Sequence, residues 1–301
     1  MKQCLEDVLE FQEAREQCLN QILTIEKSLH LKNQLNDLDS KTLSSVLIEG
    51  YKNQNHSLEN YLTPSASSNS YVLKPLHNLY FTRDTSVVFG NKVINMHMAN
   101  SVRSPESIIS RTLFKFHPKL SNLGSILDST GHISDPEYCL EGGDIHIWNS
   151  NLILVGLSER TKPRAIDALI DSLVLSRKED GCLEPFHVVC VDLPKTRAIL
   201  HLDMIFNKVN QNQALVYAPL VLSANKLRVI KIAVNSKGEK KFTEYADLIS
   251  CLATVGYKID PIVCGGTDVL HMEREQWASG ANSFDLAPSK QLNYTTKIVF
   301  L

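Results

Sequence analysis

Residues 145–155 read Ile145-His146-Ile147-Trp148-Asn149-Ser150-Asn151-Leu152-Ile153-Leu154-Val155, two apolar runs around a three-residue polar break, and Pro163 follows shortly after. Apolar runs of this composition joined by a short Asn/Ser break predict a β-hairpin. Beyond Pro163, the residues Ile166, Leu169, Ile170 and Leu173 recur at helical spacing, so a helix is expected to open at the proline. Residues 187–191 (HVVCV) then read as a buried strand. The module is strand, strand, helix, strand.

The same order recurs on both sides. Upstream, Val87-Val88-Phe89 and Val93-Ile94 flank Gly90-Asn91-Lys92, and Ser104-Pro105-Glu106 opens a helix. Downstream, strands are expected around residues 201–207 and 214–217. A helix from about Thr243, carrying Leu248, Ile249 and Leu252, and a strand over residues 259–264 complete that unit. Repeated modules that cannot bury their own faces alone suggest a radial or stacked arrangement. In front of them, residues 5–50 repeat apolar side chains at helical spacing (Leu19, Ile22 and Leu23, then Leu43, Val46 and Leu47), which predicts an all-helical lead. Residues 55–70 shift to Asn, Ser, His and Pro, the composition of an exposed connection. The expected division is a helical segment with its linker over 1–70 and an α/β domain over 71–301.

Composition narrows the function. In 301 residues, 31 Lys+Arg stand against 33 Asp+Glu, a net charge of −2, so no positive field favours nucleic acid or anionic lipid as a partner. With 43% hydrophobic and 21% charged residues, the chain reads as globular and ordered. Its longest near-apolar run, residues 214–222, contains Pro219 and falls well short of the roughly 18 residues that span a bilayer. Glu6 and Asp7 sit where a secretory signal would need apolar residues. Seven widely spaced cysteines with no C-x-x-C pair predict reduced thiols in the cytoplasm and no zinc site.

Three polar clusters fall at matching places in the repeats: residues 78–84 (NLYFTRD), Glu141-Gly142-Gly143-Asp144, and His201-Leu202-Asp203. Near-equal steps of one module would bring them around a common axis. Asp84 and Asp203 could each accept two parallel N–H bonds from a planar guanidinium. His201 could carry a proton to a leaving amine while Glu141 holds it. Taken singly, each residue has an ordinary use: an Asp beside a hairpin caps a turn, a lone histidine packs in a core, and paired glycines make turns. Arg274-Glu275-Gln276-Trp277 likewise reads, in isolation, as a solvated charge pair beside a buried indole. It is the joint pattern that points to a site for a guanidinium-bearing ligand.

Five segments resemble the arginine deiminases of the guanidino-group-modifying (pentein) superfamily. They are residues 78–84, Glu141 to Asp144, Ser158-Glu159-Arg160-Thr161, His201-Leu202-Asp203, and residues 274–282 (REQWASGAN). The resemblance covers about residues 5–290. It implies hydrolysis of L-arginine to L-citrulline and ammonia on a five-bladed α/β propeller, without metal or organic cofactor. It further implies that Asp84 and Asp203 grip the guanidinium, that His201 is general acid and base, and that Glu141 supports both. Asn78, Phe81, Arg83, Asp144 and Arg160 would line the pocket. Arg160 would pair the substrate carboxylate, which speaks against agmatine as the substrate.

In that family a cysteine thiolate attacks the guanidinium carbon, ammonia leaves, and water cleaves the intermediate. The matching cysteine is expected beyond Leu301, in a Gly-rich segment. The family's first strand module is likewise expected to be missing, and residues 291–301 depart from the family pattern. The propeller would then be incomplete and the chain inactive as it stands. Cys264, before Gly265-Gly266, and Cys139, two residues before Glu141, are the local candidates to replace the nucleophile; both are expected to be structural thiols. The competing expectation is a non-catalytic arginine-binding or assembly protein, and open sheet edges would favour poor solubility or homo-oligomers.

Overall fold

Helix signals dominate the first fifty residues. Asp39 accepts a hydrogen bond from the Thr42 amide at 2.9 Å and so caps helix Ser40–Glu49, and Pro105 occupies the first turn of helix Ser104–Phe116. A computed structural model describes residues 1–52, 71–128, 135–287 and 290–293. The chain divides into two units, residues 1–133 and residues 134–301. The connection expected over residues 55–70 lies outside the described residues.

In the first unit, helices Lys2–Leu9, Gln12–Ile25, Lys32–Asn36 and Ser40–Glu49 are followed by two short antiparallel strands, β1 (Tyr51–Lys52) and β2 (Tyr71–Leu73). Strands β3 (Ser86–Phe89) and β4 (Lys92–Asn95) form the expected hairpin, with Gly90 in its turn at φ +62. Helix Ser104–Phe116 then leads to β5 (Gly124–Asp128), which pairs parallel with β4. The division between units follows contacts rather than composition. Ile108, Ile109 and Leu113 of that helix bury themselves among Leu5, Val8, Leu19, Ile22 and Leu23 of the N-terminal helices. The helical lead and the first ββαβ module therefore share one core.

Arg15 ties this helical group together. Its Nε donates to the Leu9 carbonyl (2.9 Å), Nη1 to the carbonyls of Asn36 (2.9 Å) and Leu38 (2.6 Å), and Nη2 to Ser40 Oγ (2.9 Å). Leu9 and Asn36 end their helices, where carbonyls lack an intrahelical partner.

The second unit carries two further modules. Strands β6 (Ile145–Asn149) and β7 (Leu152–Leu157) are antiparallel, helix Pro163–Glu179 crosses over, and β8 (Phe186–Asp192) returns parallel to β7. Strands β9 (Phe206–Lys208) and β10 (Gln213–Val216) are antiparallel, and β13 (Asp260–Val263) lies parallel to β10 after helix Leu248–Ala253. Between β10 and that helix runs a hairpin, β11 (Arg228–Val234) and β12 (Lys240–Tyr245). It joins the other sheet, giving the orders β12-β11-β8-β7-β6 and β13-β10-β9. Phe206 sits fully buried where the two sheets share a core, stacked on Trp148 at 6.0 Å. Helix Val269–Trp277 and the antiparallel strands β14 (Ser283–Ala287) and β15 (Lys290–Asn293) follow.

Three expectations are corrected. Residues 240–245 are a strand, because every one of them pairs with β11; the helix starts only at Leu248, capped by Asp247. Residues 201–205 are not a strand: His201 caps a single 3-10 turn, Leu202–Met204, and extended structure begins at Phe206. Trp277 is 78% exposed, so the indole beside Arg274 and Glu275 is not buried. No helix among the described residues is long and apolar enough to cross a membrane.

Candidate active site

Three short segments of the second unit meet around a buried carboxylate. Glu141 precedes the 3-10 turn Gly142–Asp144 at the entrance to β6, Ser158 follows the end of β7, and His201 caps Leu202–Met204. Glu141 is completely buried; its Oε2 lies 2.8 Å from Nε2 of His201 and its Oε1 3.5 Å from Nη1 of Arg160. A buried carboxylate needs charge or hydrogen-bond partners, and here an imidazole and a guanidinium share it. The close approach also explains Gly143. A Cβ there would lie 2.6 Å from Nδ1 and 2.7 Å from Cγ of His201. Asp203 is buried in the turn that follows His201.

Asp144 is also fully buried. Its Oδ2 accepts from the Ser158 hydroxyl at 2.6 Å and its Oδ1 from the Leu202 amide at 2.9 Å. Burial pushes its carboxyl up to about 6, against the opposing pull of the His201 charge and the bonds from Ser158, Thr161 and Leu202. An acid whose pKa is higher in the folded than in the unfolded chain binds more protons when folded, so stability falls as pH rises between the two values. Raising the pH from 4 to above 6 is therefore expected to remove about 2 kcal/mol through this one group. Thermal melts of wild type and Asp144→Asn across that range check it: the variant should show the shallower decline, and parallel curves would refute the assignment.

In the first unit, the Phe81 amide donates to the Asn78 carbonyl at 2.9 Å, and the single helical turn Thr82–Thr85 carries Arg83 and Asp84. Asp84 Oδ2 accepts from Nη1 of Arg103 at 2.7 Å, while Nε of Arg103 donates to Glu106 at 2.9 Å. Burial raises the Glu106 carboxyl and the Arg103 charge opposes this. The two units thus each hold part of the expected set. Asn78, Phe81, Arg83 and Asp84 fall in one, and Glu141, Asp144, Arg160, His201 and Asp203 in the other.

Sequence reasoning gives no site role to Arg103, Glu106 or Ser158, although Ser158 opens one of the family-like segments and Glu106 helps open a helix. Arg103 and Glu106 are one turn apart around Pro105, and nothing local marks their pairing with Asp84. Ser158 carried a usable signal, since a serine leaving a strand two residues before a charged residue suits a hydroxyl-bridged turn.

None of the seven cysteines forms a disulfide among the described residues. Cys264 is buried and its thiol is pushed up to about 11, by burial and then by the Glu275 charge. Cys139 is raised by burial and then by the Glu141 charge. Cys18 and Cys190 are raised to about 12 and Cys251 to about 11, each mainly by burial. Such thiols resist ionisation, and the thiolate is the nucleophilic form.

The family model for arginine deiminase matches residues 4–300, past residue 290 where the sequence resemblance was expected to stop. An arginine deiminase of Listeria monocytogenes serovar 1/2a is 32% identical over 275 residues, covering 89% of this chain and 65% of that protein. One of serotype 4a is 33% identical with the same coverages. The chain spans about 65% of the length of these curated relatives. Among solved structures, a dimethylarginine dimethylaminohydrolase adduct superposes with a TM-score of 0.42 at 18% identity, covering 73% of this chain and 66% of that one.

Proposed function

Because the chain belongs to the arginine deiminase family, we propose that it holds L-arginine through its guanidinium and carboxylate, in the manner of an enzyme that hydrolyses arginine to citrulline and ammonia. The observation that carries this reading is the buried His201–Glu141 pair at 2.8 Å with Arg160 alongside. In it, Glu141 fixes the imidazole, His201 moves the proton to the departing nitrogen, and Arg160 takes the ligand carboxylate. Asp203, on the turn behind His201, and Asp84, on the turn Thr82–Thr85, supply carboxylates to the guanidinium. Asn78, Phe81, Arg83 and Asp144 complete the set around the ligand. The three ββαβ modules, each with an antiparallel and then a parallel pair, support reading the sheets as blades of an α/β propeller.

Covalent attack on the guanidinium carbon requires a thiolate, and the thiols at Cys139 and Cys264 are held protonated. This favours binding without turnover by this chain. Calorimetric titration with L-arginine is expected to show saturable binding, with Asp203→Ala weakening it at least about tenfold through the lost charge-assisted bonds. Citrulline should stay at the level of a blank. Unchanged affinity in Asp203→Ala would remove the guanidinium assignment, and turnover at an enzyme's rate would show that a resident thiol serves as nucleophile.

A further inference from the structure

Ser158 is 2% exposed and its hydroxyl is saturated. Oγ donates to Asp144 Oδ2 at 2.6 Å and accepts from the Arg160 amide at 2.9 Å and the Thr161 amide at 3.1 Å. A serine hydroxyl has one donor and two acceptor positions, so no capacity is left for a ligand. Accepting from the second and third following amides folds the segment into a tight hydroxyl-bridged turn. That turn brings Nη1 of Arg160 back to within 3.5 Å of Glu141 Oε1. The neighbouring Thr161 reinforces the fold, its Oγ1 accepting from the Glu141 amide at 3.2 Å. Asp144, the acceptor of the Ser158 proton, holds the Leu202 amide with its other oxygen at 2.9 Å. One hydroxyl therefore joins the segment carrying Arg160 to the residue next to His201.

We infer that Ser158 is the positioning residue that aims Arg160, and that through Arg160 it sets the preference of the site for guanidino compounds bearing a carboxylate. The second half of this inference rests on the arginine-binding reading above. An alanine at 158 would leave the Arg160 and Thr161 amides without their buried partner and take from Asp144 one of its donors. The loop would then open and Arg160 would lose its orientation. The guanidinium end of a ligand, held by carboxylates on other segments, would be little affected.

The test compares L-arginine with agmatine, which keeps the guanidinium and lacks the carboxylate, by calorimetry on the full chain. Ser158→Ala is expected to weaken arginine about tenfold while changing agmatine less than about twofold. Ser158→Thr, which restores the hydroxyl, should recover arginine to within about threefold of wild type. Arg160→Ala should show the same selectivity loss, and adding Ser158→Ala to it should weaken arginine no further. An equal loss of both ligands, or a loss of neither, overturns the inference. Should wild type bind neither ligand, the arginine-binding reading fails and takes the preference with it. Hydrogen exchange then decides the positioning by itself. In Ser158→Ala the Arg160, Thr161 and Leu202 amides should exchange at least about tenfold faster, and unchanged protection would overturn it.

Discussion

Gly143→Ala is expected to abolish ligand binding and break the His201–Glu141 pair. The added methyl would stand 2.6 Å from Nδ1, 2.7 Å from Cγ and 3.0 Å from Cβ of His201, all inside contact distance. The clash includes the root of the side chain, so a rotation of the ring tip cannot relieve it. Either His201 turns out of its place opposite Glu141, or the turn Gly142–Asp144 moves and takes Asp144 with it. Overpacking of this kind costs about 1–3 kcal/mol. Loss of geometry at a charge-assisted pair should lower arginine affinity by at least about a hundredfold. Nitrogen NMR of the His201 ring, with thermal melting, checks both parts; an unchanged ring signal and melting temperature would show that the turn absorbs the methyl freely.

The second large effect belongs to stability. Arg15→Ala would strip three main-chain carbonyls and the Ser40 hydroxyl of a buried donor at one stroke. Each buried group left without its bond costs about 1–3 kcal/mol, and repacking recovers part of this, so a loss of about 3–5 kcal/mol is expected. In a unit of this size that corresponds to a fall in melting temperature on the order of 10 °C. Circular dichroism at the helix band should show it. Arg15→Lys should recover only part, because a single ammonium cannot reach carbonyls from Leu9, Asn36 and Leu38 in one fixed fork. A shift below about 2 °C for the alanine variant would mean that water satisfies these helix ends.

What could be read from the sequence, and what could not, follows the range of the interactions. The hairpins at residues 86–95 and 145–157 and the helices opening at Pro105 and Pro163 declare themselves by short-range pattern and stand where expected. The segment of β12 reads alone as the start of a helix because its spacing is ambiguous, and only pairing with β11 settles it. His201 sits beside Glu141 as expected, although 60 residues separate them, since the module spacing pointed to their meeting. Arg15 and Arg103 were illegible for the opposite reason. Their partners are carbonyls and carboxylates that no spacing rule links to a guanidinium so many residues away. The Asp144 network is equally hidden in the sequence, because burial is what turns an acid in a turn into a proton-linked group.

The hairpin β11–β12 has a bearing on the life of the nascent chain. It follows β10 in sequence yet completes the sheet of β6, β7 and β8, pairing β11 along the full length of β8. Until synthesis passes Val234, the Val188-Val189-Cys190-Val191 stretch of β8 has no neighbour on that side and offers a sticky apolar template to other chains, and until it passes Tyr245 β11 is the open edge instead. Once the hairpin docks, the outermost strand carries Lys240, Lys241 and Glu244, charges that discourage further strand addition. The interval between emergence of β8 and arrival of β12 is thus the window in which a chaperone would matter most, and slowing elongation across residues 193–245 would lengthen it.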